Sequence, residues 1–324
     1  MKTKILKLKS YNAFGSVDKS LILNIAGKVS LLKVAETDIA IIRELSVLKN
    51  PSSGVISPDL KTLAYKSTSG KIAVHDAETG ELIIKHDAIK NEGCGLYFVH
   101  QNRKILSSTW ACDVFLVDIH SGNMTKLQIG DGEYHGAAIL PGLTEDEFYI
   151  YCINRNARRC SDEASTVFKL LVNTDSFECH PVCNLPECGI LTPAKLQNAL
   201  FFSSRSNINC LLYKFDLFSN TYSEYIDIQK VYNSSGAELR DEQVRVTYIT
   251  GSADGKYLIV ACNAGVNNSK IVMIINATTQ KCLAKIEYRY VSNIMLLNSD
   301  RTLWVGTWEK IYVYDFLELI GESV

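Results

Sequence analysis

Three cysteines and a histidine fall within ten residues in Cys179-His180-Pro-Val-Cys183-Asn-Leu-Pro-Glu-Cys188, the densest set of soft-metal ligands in the chain. Zinc binds Cys and His at such density, usually as two matched pairs. Here three residues separate Cys179 from Cys183, no second matched pair follows, and alternation along a strand turns both thiols to one side. No metal is expected. Nucleophilic catalysis has as little to build on, because there is no Gly-x-Ser-x-Gly elbow and the six histidines show no obvious pairing. His75, His86, His100, His120 and His180 fall in strand-like runs or their turns, which leaves His135 as the one histidine placed for chemistry. Glu92, Glu133 and Asp113 lack a diagnostic spacing for acid–base work. Gly251-Ser-Ala-Asp-Gly255 reads as a hairpin turn, since no helix opens behind it to cradle phosphate. No cofactor is expected.

The remaining candidates are aromatic and basic, and their meaning depends on the elements that carry them. The chain repeats one phrase: two apolar strands joined by a short turn, then an Asp-x-x-x-Gly-like turn. It is clearest at Ser57–Glu81 and Asn298–Phe316, recurs at Asn102–Gly122, Glu147–Asp175, Asn198–Asn220 and Asp254–Thr279, and is degenerate at Lys19–Asp38. The residues ending the third strand, Asp76, Asp118, Asn173, Asp216, Asn276 and Asp315, recur every ~40 to 60 residues, the period of propeller blades. Apolar residues alternate with a period of two rather than 3.6, which excludes helix for the bulk of the chain.

These patterns predict an all-β fold, a seven-bladed β-propeller of four-stranded antiparallel blades in one domain over residues 1–324. The expected blades are 11–50, 51–90, 91–130, 131–185, 186–230, 231–288 and 289–324. The last lacks a fourth strand, whereas Lys2–Lys9 alternates lysine with apolar residues and has no blade of its own. Residues 1–10 are therefore assigned to the last blade, closing the ring and removing its open edges. A β-sandwich is the competing architecture, but it does not require seven copies of one hairpin phrase.

Composition narrows the partners. A net charge of −1 supplies no global field for nucleic acid or anionic lipid, so nucleic-acid binding is not expected. No apolar run approaches the roughly 20 residues that span a bilayer, and the N-terminus lacks the apolar stretch of a signal peptide. Several of the ten cysteines lie inside apolar strands, as in Ile-Tyr-Cys152-Ile, where thiols behave as small hydrophobes. A reduced, cytoplasmic setting is expected.

With Ser57-Pro-Asp-Leu-Lys-Thr-Leu-Ala64, Ala253-Asp-Gly-Lys-Tyr-Leu-Ile-Val260 and Ile72-Ala-Val-His-Asp-Ala-Glu-Thr-Gly80, the chain resembles the WD-repeat and YVTN-type β-propeller superfamily over nearly all its length. It departs from true WD repeats in lacking the Gly-His dipeptide and the Trp-Asp that ends the third strand. Tyr-Asp, Val-Asp or His-Asp stands there instead, so the superfamily's buried tetrad is not carried over. The resemblance implies a scaffold for protein contacts. A lactonase- or hydrolase-like enzyme with its site at the central channel is the alternative.

In such a fold the loops joining second to third strands, and one blade to the next, emerge on one face. The second strands end at Thr68, Trp110, Arg155, Arg205, Asn263 and Trp308, and the inter-blade loops add Tyr134, His135, Tyr288, Arg289 and Tyr290. Arg158 and Arg159 extend the basic loop begun by Arg155, and Tyr232–Val244 is the longest polar insertion. Rigid aromatics and forked guanidinium donors are the residues of binding hot spots. The expected ligand-contacting set is Trp110, Tyr134, His135, Arg155, Arg158, Arg205, Tyr288, Arg289 and Trp308, facing a protein, peptide or other anionic ligand. Packing of the two tryptophans between blades is the structural alternative.

Overall fold

The computed structural model describes the chain except residues 1–2, 8–10, 18–19, 26, 35–38, 94, 131, 157–163, 186–193, 197, 204–209, 236–243, 265–268, 298–300, 308–309 and 323–324. After β1 (Thr3–Lys7) the strands follow in groups of four. These are β2 (Tyr11–Val17), β3 (Ser20–Ile25), β4 (Lys28–Val34) and β5 (Ile39–Leu45), then β6 (Pro51–Ile56), β7 (Thr62–Ser67), β8 (Ile72–Asp76) and β9 (Leu82–His86). Next come β10 (Leu96–Val99), β11 (Lys104–Ser108), β12 (Asp113–Asp118) and β13 (Met124–Gln128), then β14 (Tyr134–Pro141), β15 (Glu147–Asn154), β16 (Ser165–Val172) and β17 (Phe177–Leu185). The fifth and sixth groups are β18 (Ala194–Leu196), β19 (Ala199–Ser203), β20 (Leu211–Asp216) and β21 (Thr221–Asp227), and, after helix α1 (Ile228–Ser234), β22 (Arg245–Gly251), β23 (Tyr257–Ala264), β24 (Ser269–Asn276) and β25 (Cys282–Tyr288). Finally β26 (Asn293–Leu297), β27 (Thr302–Gly306) and β28 (Lys310–Asp315) precede helix α2 (Phe316–Ile320). Strand β1 lies antiparallel against β28, with Thr3 opposite Tyr314 and Lys7 opposite Lys310, so the described strands form seven four-stranded sheets.

Two compact units divide these sheets. One comprises residues 9–157 and 165–182, the other residues 1–8, 158–164 and 183–324. In the first, the leading strand β2 packs on β6 and β6 on β10. Apolar side chains fill the space between consecutive sheets: Leu31 with Leu63 and Tyr65, Val74 with Ile105 and Val117, and Leu106 and Leu116 with Phe148 and Ile150. The second unit repeats the arrangement, with β18 on β22 and β22 on β26, and with Phe201 and Leu212 against Val260 and Met273. Second strands such as β7, β15 and β19 are buried along most of their length because neighbouring sheets cover both faces. Outer strands β9, β13 and β21 are the most exposed, with Lys85, Lys126 and Glu224 in water and Leu82, Ile83 and Met124 partly so, as befits strands away from the packed centre.

The recurring aspartates act through their side chains. Asp76 Oδ1 accepts the backbone N–H groups of Glu78 and Thr79 and the Thr79 hydroxyl. Asp118 does the same with His120 and Ser121, and Asp216 with Phe218 and Ser219. Each is an Asx turn, and its hydrogen bonds hold these carboxyls below the ordinary aspartate range. Four residues on, the chain turns in the left-handed region at Gly80 and Gly122, and also at Asn220 and Gln280, where a side chain makes that conformation less favourable. The turns before β7 and β23 share a second network, in which Ser57 or Ser252 donates to the aspartate two residues on and its hydroxyl accepts the N–H of Thr62 or Tyr257.

Two helices depart from the strand-only expectation. The Tyr232–Val244 segment, expected as a polar loop, begins inside helix α1. The Asp227 carboxylate caps it by accepting the Lys230 N–H, and Ile228, Val231 and Tyr232 bury one face at helical spacing. Asp315 likewise caps α2 rather than opening an Asp-x-x-x-Gly turn, by accepting the Glu318 N–H, and Gly321 ends that helix at φ +76°.

Gly80→Ala and Gly122→Ala, each at a left-handed position, should each cost about 1 kcal/mol. Chemical denaturation checks both. A pH effect follows from His75, which is buried, stacks on Tyr65 at 5.6 Å and donates from Nδ1 to the Gly80 carbonyl. Burial lowers its pKa, as it does for His86 and His135, so the unfolded chain binds the extra proton more readily. This stability is fully present above the unfolded histidine value of about 6.5 and is lost as pH falls from there through the lower folded value. The melting temperature should drop between pH 7 and 5, and His75→Gln should flatten that drop.

Candidate functional site

In the first unit the sheet ends gather four of the expected residues. Trp110 sits on the turn after β11, about two-fifths exposed, and its carbonyl accepts the Gly136 N–H at 3.0 Å. This tie draws β14 against the turn and lays the His135 ring parallel to the Trp110 indole, centroids 5.8 Å apart and planes 8° apart. Arg155 follows β15, exposed, with its backbone N–H on the Glu133 carbonyl. Burial, and then the nearby Arg155 charge, lower the His135 pKa, so the stacked imidazole is neutral at pH 7. Tyr134 turns the other way. Its ring meets Phe168 edge-on at 5.2 Å and packs on the inter-sheet core, so its role is largely structural.

In the second unit the ends of β25 and β28 enclose a cavity of about 440 Å³. Tyr288, Tyr290, Tyr312 and Tyr314 line it, with Arg289 and Lys310 as its cations and Glu287 as its carboxylate. Lys310, Tyr312 and Tyr314 share one face of β28 because strand side chains alternate. Tyr288 and Tyr314 bond hydroxyl to hydroxyl at 2.6 Å, and burial pushes both phenols up, so they are neutral hydrogen-bonding groups rather than bases. The exposed Arg289 guanidinium lies 5.5 Å from the Tyr290 ring centroid, a cation–π contact that fixes its direction. The volume suits a small ligand or a peptide side chain, and the lining offers aromatic faces beside forked cationic donors.

Tyr288 and Arg289 were legible as site residues, although Tyr288 is nearly buried and serves the core as well. Tyr290 was legible beside them in the same loop, whereas Lys310, Tyr312 and Tyr314 were not, although the Lys-x-Tyr-x-Tyr alternation before Asp315 placed all three on one strand face. Arg158, Arg205 and Trp308 lie outside the described residues. Of the cysteine cluster, Cys179 leans on the inter-sheet core, where burial pushes its thiol up to about 11, and Cys183 donates to the adjacent Asn184 carbonyl. Cys188 lies outside the described residues. Among the described residues no three His, Cys, Asp or Glu side chains are grouped as a metal ion requires. Asp113 is bound to Lys126 at 3.0 Å, and Glu92 meets the Trp110 turn through its backbone carbonyl.

No protein-family model matches the sequence, and no curated protein matches it. Solved structures do match. Hydrazine synthase from Kuenenia stuttgartiensis superposes with a TM-score of 0.72 at 10% identity, covering 95% of this chain and 96% of that one. The β-propeller domain of Cps50 (Swd1) from Myceliophteria thermophila gives a TM-score of 0.69 at 12% identity, covering 97% and 99%. At such identities the likeness speaks for fold alone, and together with the four-stranded antiparallel sheets it makes this chain an all-β β-propeller.

Proposed function

We propose that the chain is a single-domain, seven-bladed β-propeller, closed by its N-terminal strand, that binds an anionic protein or peptide segment without transforming it. The tyrosine-lined cavity with Arg289 and Lys310 carries this reading. Its aromatic walls bury an apolar side chain, its cations meet a carboxylate or phosphate, and the buried Tyr288 and Tyr314 phenols stay protonated. The Trp110–His135 stack beside Arg155 offers the same chemistry in the other unit: a flat aromatic surface, a neutral imidazole and a guanidinium. The seven sheets and the β1–β28 pairing support the closed ring. The described cysteines are thiols rather than disulfides, which fits a cytoplasmic setting.

Binding is tested with fluorescent glutamate-rich and lysine-rich peptides of equal length, each containing one tryptophan. The glutamate-rich peptide should bind more tightly, and Arg289→Ala or Arg155→Ala should weaken it about tenfold, the ~1.4 kcal/mol of a lost charged contact, at unchanged melting temperature. Equal binding of both peptides would contradict the proposal. Closure is tested by deleting residues 1–8, which bares the β28 edge: the truncated protein should melt lower and self-associate, whereas unchanged melting and a monomeric profile would count against the ring.

A further inference from the structure

The thiols of Cys112 and Cys152 lie 3.1 Å apart, buried where the β10–β13 sheet meets the β14–β17 sheet. The backbone at both positions sets this approach. Cys112 occupies the β11–β12 turn at φ +60°, a left-handed conformation that glycine or asparagine would adopt at less cost. It is held there by its N–H on the Thr109 carbonyl and by the Ile129 N–H on its own carbonyl. Cys152 stands opposite Gly136, one pair before the β-bulge at Gly136/Ala138. A Cβ on Gly136 would lie 2.7 Å from the Thr109 carbonyl oxygen, so glycine is what lets β14 approach the turn that carries Cys112.

The same placement recurs in the other unit. Cys210 lies two residues before Leu212, which pairs with Ser203 at the end of β19, just as Cys112 lies two residues before Val114, which pairs with Ser108 at the end of β11. The Cys210 carbonyl accepts the Ile228 N–H as that of Cys112 accepts the Ile129 N–H. Cys262 stands opposite Val246, again one pair before a bulge, at Val246/Tyr248. Cys210 and Cys262 are packed in one inter-sheet core. Two cysteine pairs at matching register positions set the arrangement apart from chance burial of small hydrophobes.

The spacing discriminates between chemistries. Two thiolates on one tetrahedral zinc sit about 3.8 Å apart, given Zn–S bonds of about 2.3 Å, so 3.1 Å is too close for a metal between them. A disulfide bond is about 2.05 Å, which asks the sulfurs to close by roughly 1 Å. We propose that Cys112 and Cys152 are a covalent modification site, an inter-sheet disulfide formed by a small peroxide. With hydrogen peroxide, one thiol takes an oxygen, giving a sulfenic acid and one water. The second sulfur attacks the sulfenic sulfur, the S–S bond forms, and the hydroxyl leaves with the second thiol's proton as another water. The peroxide is reduced and the two thiols are oxidised.

The bond would brace the candidate binding surface. Trp110 lies two residues before Cys112 and Arg155 three after Cys152, and the Gly136 N–H already joins β14 to the Trp110 turn. A covalent tie between these elements fixes the Trp110–His135 stack. That consequence for ligand affinity rests on the binding function proposed above, whereas the existence of the bond does not.

The test treats the full-length native protein with hydrogen peroxide, removes the oxidant, blocks remaining thiols with iodoacetamide in denaturant and maps unreduced peptides by mass spectrometry. The expected result is a Cys112–Cys152 linked peptide, two hydrogens lighter than its parts, that disappears on treatment with dithiothreitol. Oxidation should also raise the melting temperature by about 3–6 °C, a rise absent in Cys112→Ser and in Cys152→Ser. Recovery of both cysteines alkylated, their conversion to sulfinic acid, or their linkage only to other cysteines would overturn the proposal. The wild-type map needs no variant to fold, and peptide affinity of the oxidised protein tests the binding consequence separately.

Discussion

Everything in this molecule depends on apolar strands being covered on both faces by neighbouring sheets. Leu63 and Tyr65 on β7 can be buried only because Val29 and Leu31 of the preceding sheet meet them, and Ile259 and Val272 need Leu303 and Val305 in the same way. A lone four-stranded sheet of this composition would leave one apolar face in water. Truncating one of these side chains to alanine costs roughly 2–5 kcal/mol, a large share of the stability of an ordinary domain. Stability therefore resides in the middle strands. The strand ends and their loops contribute little to it.

Polar groups inside this packing are handled by short, local bonds. The Tyr65 hydroxyl reaches the backbone N–H groups of Val47 and Leu48, fixing the chain where it enters the next sheet. Lys66, fully buried, donates from Nζ to the Ser108 carbonyl at 2.7 Å and the Ser107 hydroxyl at 3.1 Å, a clamp from β7 to β11. A buried amine is costly unless its hydrogen bonds are made, and these two bonds to β11 meet that need.

How much of this was legible in the residues varied with the range of the interaction. The Asp-x-x-x-Gly turns were plain because the aspartate bonds its own backbone within three residues, as at Asp76 and Asp118. The pairing of β1 with β28 was legible from an unpartnered alternating segment and an incomplete final unit. The helices were obscured by their brevity: α1 shows only Ile228, Val231 and Tyr232 as an apolar face, too little to outweigh the polar residues that follow. The tyrosine cavity was half visible. Tyr288, Arg289 and Tyr290 stood out in an inter-strand loop, but Tyr312 and Tyr314 read as strand core because β28 buries one of them and half-buries the other. The meeting of Cys112 and Cys152 across two sheets left no local signal at all.

A fold held this way leaves the Trp110 turn and the Tyr288–Tyr290 loop free to differ in chemistry while the strands beneath them repeat. Hydrogen–deuterium exchange over the whole chain, read strand by strand, tests this account most directly. It predicts slowest exchange in the second and third strands of every sheet, such as β7, β15, β23 and β24, and fast exchange in outer strands such as β9 and β13, with the same gradient in both units. Uniform exchange across the strands of each sheet, or protection confined to one unit, would contradict it.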